Sequence, residues 1–164
     1  AAALNSGANI ESVHAALLSF ARLHHRAEPI GENQGVAFIN DSKATNPHAT
    51  ITAVGGYESC VLIAGGRNTG LDRSSLRPLS KKLRGVVAIG ECAAEIEAAF
   101  DGATPTRVAT TMKDAVRFAA EMSKPGDVVL LSPACASFDW YQSYEERGDS
   151  FVSEVEAFIA GASQ

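Results

Sequence analysis

Neither of the two common glycine-rich phosphate loops, GxGxxG and GxxxxGKS/T, occurs anywhere in this sequence. A chain without one lacks the usual backbone cradle for nucleotide phosphates. That argues against nucleotide cleavage by this chain on its own. Long apolar runs are also missing. No stretch approaches the roughly 18–20 apolar residues of a membrane span, so no membrane association is expected. Cysteine is scarce, with three in 164 residues, and Cys60, Cys92 and Cys135 stand far apart. Such an odd, scattered set is no disulfide framework and has no CxxC or Cys/His zinc spacing. A reducing, cytoplasmic setting suits it better. Positive charge is short as well: 14 Lys and Arg against 19 Asp and Glu give a net charge of −5, with no basic stripe. Nucleic acid is therefore not an expected partner. The start has neither an initiator Met nor the basic-then-apolar pattern of a secretory leader. Ala1–Ala2–Ala3–Leu4 reads as the tail of a helix begun elsewhere, so a piece of a longer protein is expected.

What is present is ordinary for a folded domain. Apolar residues make up 46% and charged residues 20%, enough for one substantial core. Asn9 is a good N-cap for an amphipathic helix over 10–20, with Val13, Leu17 and Phe20 on one stripe. Asn33–Gln34–Gly35 signals a turn between extended pieces at 27–31 and 36–40. From there the pattern alternates. Apolar runs at 60–64, 85–89, 106–109 and 127–131 predict strands. Helices are predicted over 47–54, from Ser74 or Ser75 to 83, and over 92–100, 112–122 and 149–160. Short apolar strands separated by helices indicate an α/β, Rossmann-like three-layer fold with a mostly parallel sheet covered on both faces. A domain boundary is placed near Glu28, giving 1–28 and 29–164.

The chemistry concentrates past the strand ends, where open α/β sheets bind ligands. The run Val36–Ala37–Phe38–Ile39 leads into Asn40–Asp41–Ser42–Lys43–Ala44–Thr45–Asn46, then Pro47. Asp41, Lys43 and Thr45 alternate in an extended loop, so all three can project to one side. They either hold a charged small molecule or form a solvated loop in which Asp41 and Thr45 cap the next helix. The loop Ser132–Pro133–Ala134–Cys135–Ala136–Ser137–Phe138–Asp139 follows another apolar strand. Its small residues let backbone N–H groups face an anion. Cys135 is either a nucleophile, which needs an adjacent base, or a small packing residue. Gly65–Gly66–Arg67–Asn68–Thr69–Gly70 either sets Arg67 over an anion or is an ordinary strand-to-helix turn. Arg26 either reaches an anion or pairs with Glu28. Trp140, Tyr141 and Tyr144 either pack under the sheet or wall a ligand pocket.

Three separated motifs together resemble the Mur ligases, in their D-glutamate-adding branch. They are Asn40–Asp41–Ser42–Lys43–Ala44–Thr45–Asn46, Leu131–Ser132–Pro133–Ala134–Cys135–Ala136–Ser137 with Asp139, and Glu145–Glu146–Arg147–Gly148. Leu23–His24–His25–Arg26–Ala27–Glu28 is similar to the Leu-Pro-His-Arg-x-Glu that ends the family's central domain, with His24 in place of the proline. The resemblance covers the whole chain. It implies that 1–28 is a helical remnant of a central ATP-binding domain and that 29–164 is the C-terminal, amino-acid-binding domain.

The activity implied is ATP-dependent addition of D-glutamate to UDP-N-acetylmuramoyl-L-alanine in peptidoglycan synthesis, through an acyl phosphate. By resemblance, Lys43, Thr45, Ser137, the backbone at Phe138, and Tyr144 bind D-glutamate. Arg26 and Asp41 touch ATP, Asp41 through the ribose hydroxyls. Magnesium is implied too, with its ligands outside this chain, and a monomer is expected. The family's second glutamate-binding Lys falls at Thr69, so Arg67 or Arg73 is the candidate replacement. A non-catalytic Rossmann-like module that binds a small anion is the rival reading, and a thiol enzyme built on Cys135 is a second.

Overall fold

The computed structural model describes residues 5–18 and 23–162. Helix α1, Ile10–Leu18, begins where the sequence predicts. Asn9 Oδ1 accepts from the Ser12 N–H at 2.8 Å, which satisfies one donor of the first turn. Phe20 and the Leu17 side chain, expected on its apolar stripe, lie outside the described residues.

Six strands form one sheet: β1 Glu28–Asn33, β2 Val36–Asn40, β3 Cys60–Gly65, β4 Leu83–Ile89, β5 Thr106–Ala109 and β6 Val128–Leu131. Their order is β1-β2-β6-β3-β4-β5. β1 runs antiparallel to β2 as an edge hairpin. Gln34 and Gly35 turn it with φ of 51° and 77°, matching the twist of a two-residue type I′ turn. Every other neighbouring pair is parallel. Asn40 and Ile63 both pair with Leu131, so β2 and β6 end level and β3 runs two residues further, to Gly65.

The remaining helices are α2 Pro47–Gly55, α3 Ala93–Phe100, α4 Met112–Met122 and α5 Tyr144–Ala162. Strand residues divide between two cores by the alternation of the pleat. Leu62, Val86 and Leu130 face Val54 of α2 and Ile96 and Phe100 of α3. Val61, Ile63, Val87 and Val129 face Val116 of α4 and Phe151 and Val155 of α5. The three-layer α/β expectation therefore holds. No helix among the described residues is long and apolar enough to cross a membrane.

Several element boundaries depart from the sequence reading. The segment Ser74–Lys81 is a 3-10 helix containing Pro78, not an α-helix to 83. Proline removes an N–H and crowds the preceding turn, so an α-helix does not continue through it. Leu83 accordingly starts β4. Helix α5 starts at Tyr144, five residues before the predicted 149. Its polar first turn and Gly148 hide the apolar period. β1 runs to Asn33 rather than stopping at 31.

Candidate functional site

The loops that leave β2, β6 and β3 lie side by side and are stitched by backbone bonds. Ala134 N–H donates to Ala44 O at 2.9 Å, Gly65 N–H to Pro133 O at 2.8 Å, and Arg67 N–H to Ala136 O at 2.9 Å. The last contact demands glycine at 66. Gly66 has a φ of 129°, and a Cβ there would come within 2.2 Å of Ala136 O.

One side chain straps the first two loops together. Arg147, in the first turn of α5, is 1% exposed. Its Nε donates to Ser42 Oγ at 3.0 Å, Nη2 to Ser42 O at 2.9 Å, and Nη1 to Cys135 O at 3.1 Å. Burial pushes its guanidinium down to about 10, so it stays charged at neutral pH. Ser42 Oγ in turn donates to Tyr144 O at 2.7 Å. Sequence reasoning quoted Arg147 in a motif and gave it no role. The only signal was a charged residue beside a glycine at a helix start.

The first loop presents its acid and its amine differently. Asp41 is buried, with Oδ2 accepting from Ser132 Oγ at 3.0 Å and Oδ1 from the Ala27 N–H at 3.1 Å. Burial pushes its carboxyl above the ordinary range. The Ser132 hydroxyl, the Ala27 N–H and the Arg26 charge pull the other way. Lys43 is half-buried, its Nζ donating to Tyr144 Oη at 3.1 Å and sitting 5.0 Å from the ring centroid. The cap of α2 is Asn46, whose side chain accepts from the Ala49 N–H at 3.0 Å. Capping by Asp41 or Thr45 is therefore corrected.

A cavity of about 540 Å³ opens beside this loop, with Arg26, Asp41 and Lys43 in its wall. The rest of its lining is mostly small: Ala27, Ala44, Ala49, Ala53 and Gly56, with Thr52 and Tyr57. Arg26 does not take Glu28 as its partner. Glu28 accepts from the His25 N–H at 2.8 Å, and its other oxygen lies 3.0 Å from His24 Nδ1. Thr45, Ser137, Phe138 and Tyr144 are not in that wall. Ser137 is buried in the second loop, and Phe138 is 59% exposed there. Trp140 and Tyr141 meet edge to face with centroids 6.4 Å apart, whereas Tyr144 turns to His25 and Lys43. The three aromatics thus separate.

Arg67 projects outward and holds Glu91 with two bonds, Nε at 3.1 Å and Nη2 at 2.9 Å. Arg73 is 2% exposed, and its Nη2 donates to Asn68 Oδ1 at 3.0 Å. Cys135 is fully buried, and burial pushes its thiol up. Cys92 is pushed to about 12, mainly by burial. Thiols kept protonated in a core are not nucleophiles at neutral pH, which removes the thiol-enzyme reading. Among the described residues, no group of three or more His, Cys, Asp or Glu is placed to hold a metal ion.

A family model described as "Mur ligase, glutamate ligase domain" matches residues 25–135. The UDP-N-acetylmuramoylalanine--D-glutamate ligase of Chlamydia caviae is 44% identical over 157 residues, which is 93% of this chain and 38% of the relative. The enzyme of the same name from Agrobacterium fabrum is 43% identical over 161 residues, covering 96% and 34%. The chain thus spans about a third of the length of the curated relatives it matches. Among solved structures, the UDP-N-acetylmuramate-alanine ligase of Thermotoga maritima gives a TM-score of 0.64 at 14% identity, over 95% of this chain and 35% of that one. A bifunctional folylpolyglutamate synthase/dihydrofolate synthase of Yersinia pestis, complexed with AMPPNP and Mn ion, gives 0.61 at 21%, over 93% and 35%. These two likenesses show the shared fold.

Proposed function

The chain belongs to the Mur ligase family, and from that premise we propose that it is the amino-acid-binding part of an ATP-dependent ligase joining D-glutamate to UDP-N-acetylmuramoyl-L-alanine in peptidoglycan synthesis. Residues 29–164 form that domain, and 1–28 close a preceding ATP-binding domain. The observation that carries the reading is the shared wall of Arg26, Asp41 and Lys43, with Tyr144 against the lysine.

In this reading, the carboxylate of the nucleotide-linked substrate is activated by phosphoryl transfer from ATP. The D-glutamate amine attacks the acyl carbon, the amide bond forms, and phosphate leaves. The residues here bind and orient. A dicarboxylate needs a cation and neutral donors. Lys43, held by Tyr144, supplies the cation, and Thr45, Ser137 and the Phe138 backbone are assigned the neutral donors. Arg26 faces the nucleotide's phosphates, and Asp41 accepts from ribose hydroxyls. Both Asp41 oxygens already take a protein donor, and each has a lone pair left for one more. Any magnesium is assigned to residues beyond this chain. The small apolar wall of Ala44, Ala49 and Ala53 suits a flat base. The setting is cytoplasmic, where the nucleotide substrates are.

The test is Lys43→Ala in the parent-length enzyme. The KM for D-glutamate should rise by at least about tenfold, the loss of one charged contact, with the KM for ATP little changed. Unchanged D-glutamate kinetics would refute the assignment.

A further inference from the structure

Arg26 is exposed and sits on a turn that should not hold itself. The residues on both sides of it, His25 and Ala27, have φ of 60° and 44°. Left-handed backbone at non-glycine residues is strained and persists only where surroundings impose it. Local bonds supply part of the restraint. Arg26 N–H donates to Leu23 O at 3.3 Å, and Lys43 N–H to His25 O at 3.1 Å. The Ala27 N–H is held by Asp41 at 3.1 Å.

A further restraint is the His25 ring, which is 7% exposed although its chain neighbours lie in solvent. It enters a socket made by Asn40, Tyr144, Gly148 and Asp149. Asn40 Oδ1 accepts from the Ser42 N–H at 3.1 Å. This fixes the amide so that Nδ2 faces His25 Nδ1, at 3.0 Å, and donates to it. The imidazole proton is then on Nε2, 3.7 Å from Asp149 Oδ1. Tyr144 meets the ring edge-on with centroids 6.2 Å apart. Gly148 leaves the room: a Cβ there would lie 2.1 Å from His25 Nδ1 and 2.8 Å from Cγ and Cε1.

We propose that His25 is a positioning residue, whose ring plugs the Asn40–Tyr144–Gly148 socket and so fixes the strained turn that presents Arg26 to the cavity. The ligand side of this statement rests on the nucleotide reading of Arg26 given above; the turn-holding side does not. The same Tyr144 ring also meets Lys43, whose Nζ donates to Tyr144 Oη at 3.1 Å. Glycine at 148 is required by the ring and not by the helix that contains it.

Two measurements test it. The first is amide hydrogen exchange on this chain carrying His25→Ala. Exchange at Ala27 and Lys43 should quicken at least about tenfold, while Val61 and Leu62 in β3 keep their protection. His25→Asn tolerates positive φ and retains an acceptor, and it should restore part of the protection. Gly148→Ala keeps His25 but fills its socket, and it should reproduce the loss. Protection unchanged in His25→Ala overturns the proposal, as does an equal loss in β3. The second is steady-state kinetics of the parent-length enzyme. His25→Ala should raise the KM for ATP about tenfold, because a displaced contact loses most of its worth, with the KM for D-glutamate little changed. Faster exchange with an unchanged KM for ATP overturns the aiming of Arg26. A wild-type enzyme with no dependence on D-glutamate overturns the ligase reading instead.

Discussion

Three acceptors hold the Arg147 guanidinium, and all three are neutral: Ser42 Oγ, Ser42 O and Cys135 O. A buried cation held this way stabilises the fold only through its bonds, each worth about 1.5–3 kcal/mol to a charged donor and partly offset by desolvation. Arg147→Met keeps the volume and removes every bond, leaving two carbonyls and a hydroxyl without their donor. Urea unfolding should show a loss of about 2–4 kcal/mol. Lys43→Ala should change stability by no more than about 0.5 kcal/mol, because its ammonium is half-exposed and its contacts are few. Of two basic residues near the same loops, Arg147 thus works in folding, while Lys43 is left for the binding role proposed above. The sequence made Lys43 legible, since an amine in a polar strand-end loop is a chemical signal. Arg147 was not legible, because hydropathy assigns a charged residue to the surface. Only the packing of α5 onto both loops reverses that.

The strands were readable because each one buried on both faces is a short unbroken apolar run, as in Cys60–Gly65 and Val128–Leu131. Helix ends were less so, because Pro78 and Gly148 act through backbone geometry that no apolar period encodes. Charge is also used at the opposite end of the sheet from the site. Asp127, just before β6, is paired with Arg84 at the start of β4, across β3 between them. Burial works against the Asp127 charge. The Arg84 guanidinium, the Ser59 hydroxyl and the Lys124 N–H outweigh it and hold the carboxyl at about 2, against an ordinary 3.8. A depressed carboxylate pKa means the unfolded chain binds a proton first as pH falls. The stability this group gives is present above about pH 4 and is lost between pH 4 and 2. Unfolding free energy should therefore fall across that window beyond the contribution of other carboxylates. Asp127→Asn should flatten that part of the slope and lower stability at pH 7. A slope identical to wild type would show that the strand ends are tied by something else.

At the scale of the whole molecule, the α/β sheet brings loops distant in sequence to one edge, but that edge is open. The cavity there opens to solvent, and neither phosphate-loop pattern occurs in the sequence. Phosphoryl transfer depends on a cradle for the phosphates and a cation to offset their charge, and among the described residues no group of three or more His, Cys, Asp or Glu is placed to hold a metal ion. The 164-residue chain should therefore release no phosphate when mixed with ATP, D-glutamate and UDP-N-acetylmuramoyl-L-alanine. Calorimetry should show D-glutamate binding weaker than about 1 mM, since one charged contact and a few neutral donors on an open face give only about 4 kcal/mol. The rival of a self-sufficient anion-binding module predicts the reverse, micromolar binding by this chain alone. Tight binding without phosphate release would favour that module, and turnover by the isolated chain would overturn both. Weak binding here, with tight binding in the parent-length enzyme, would place the second wall of the cleft on the part of the ligase that this chain does not contain.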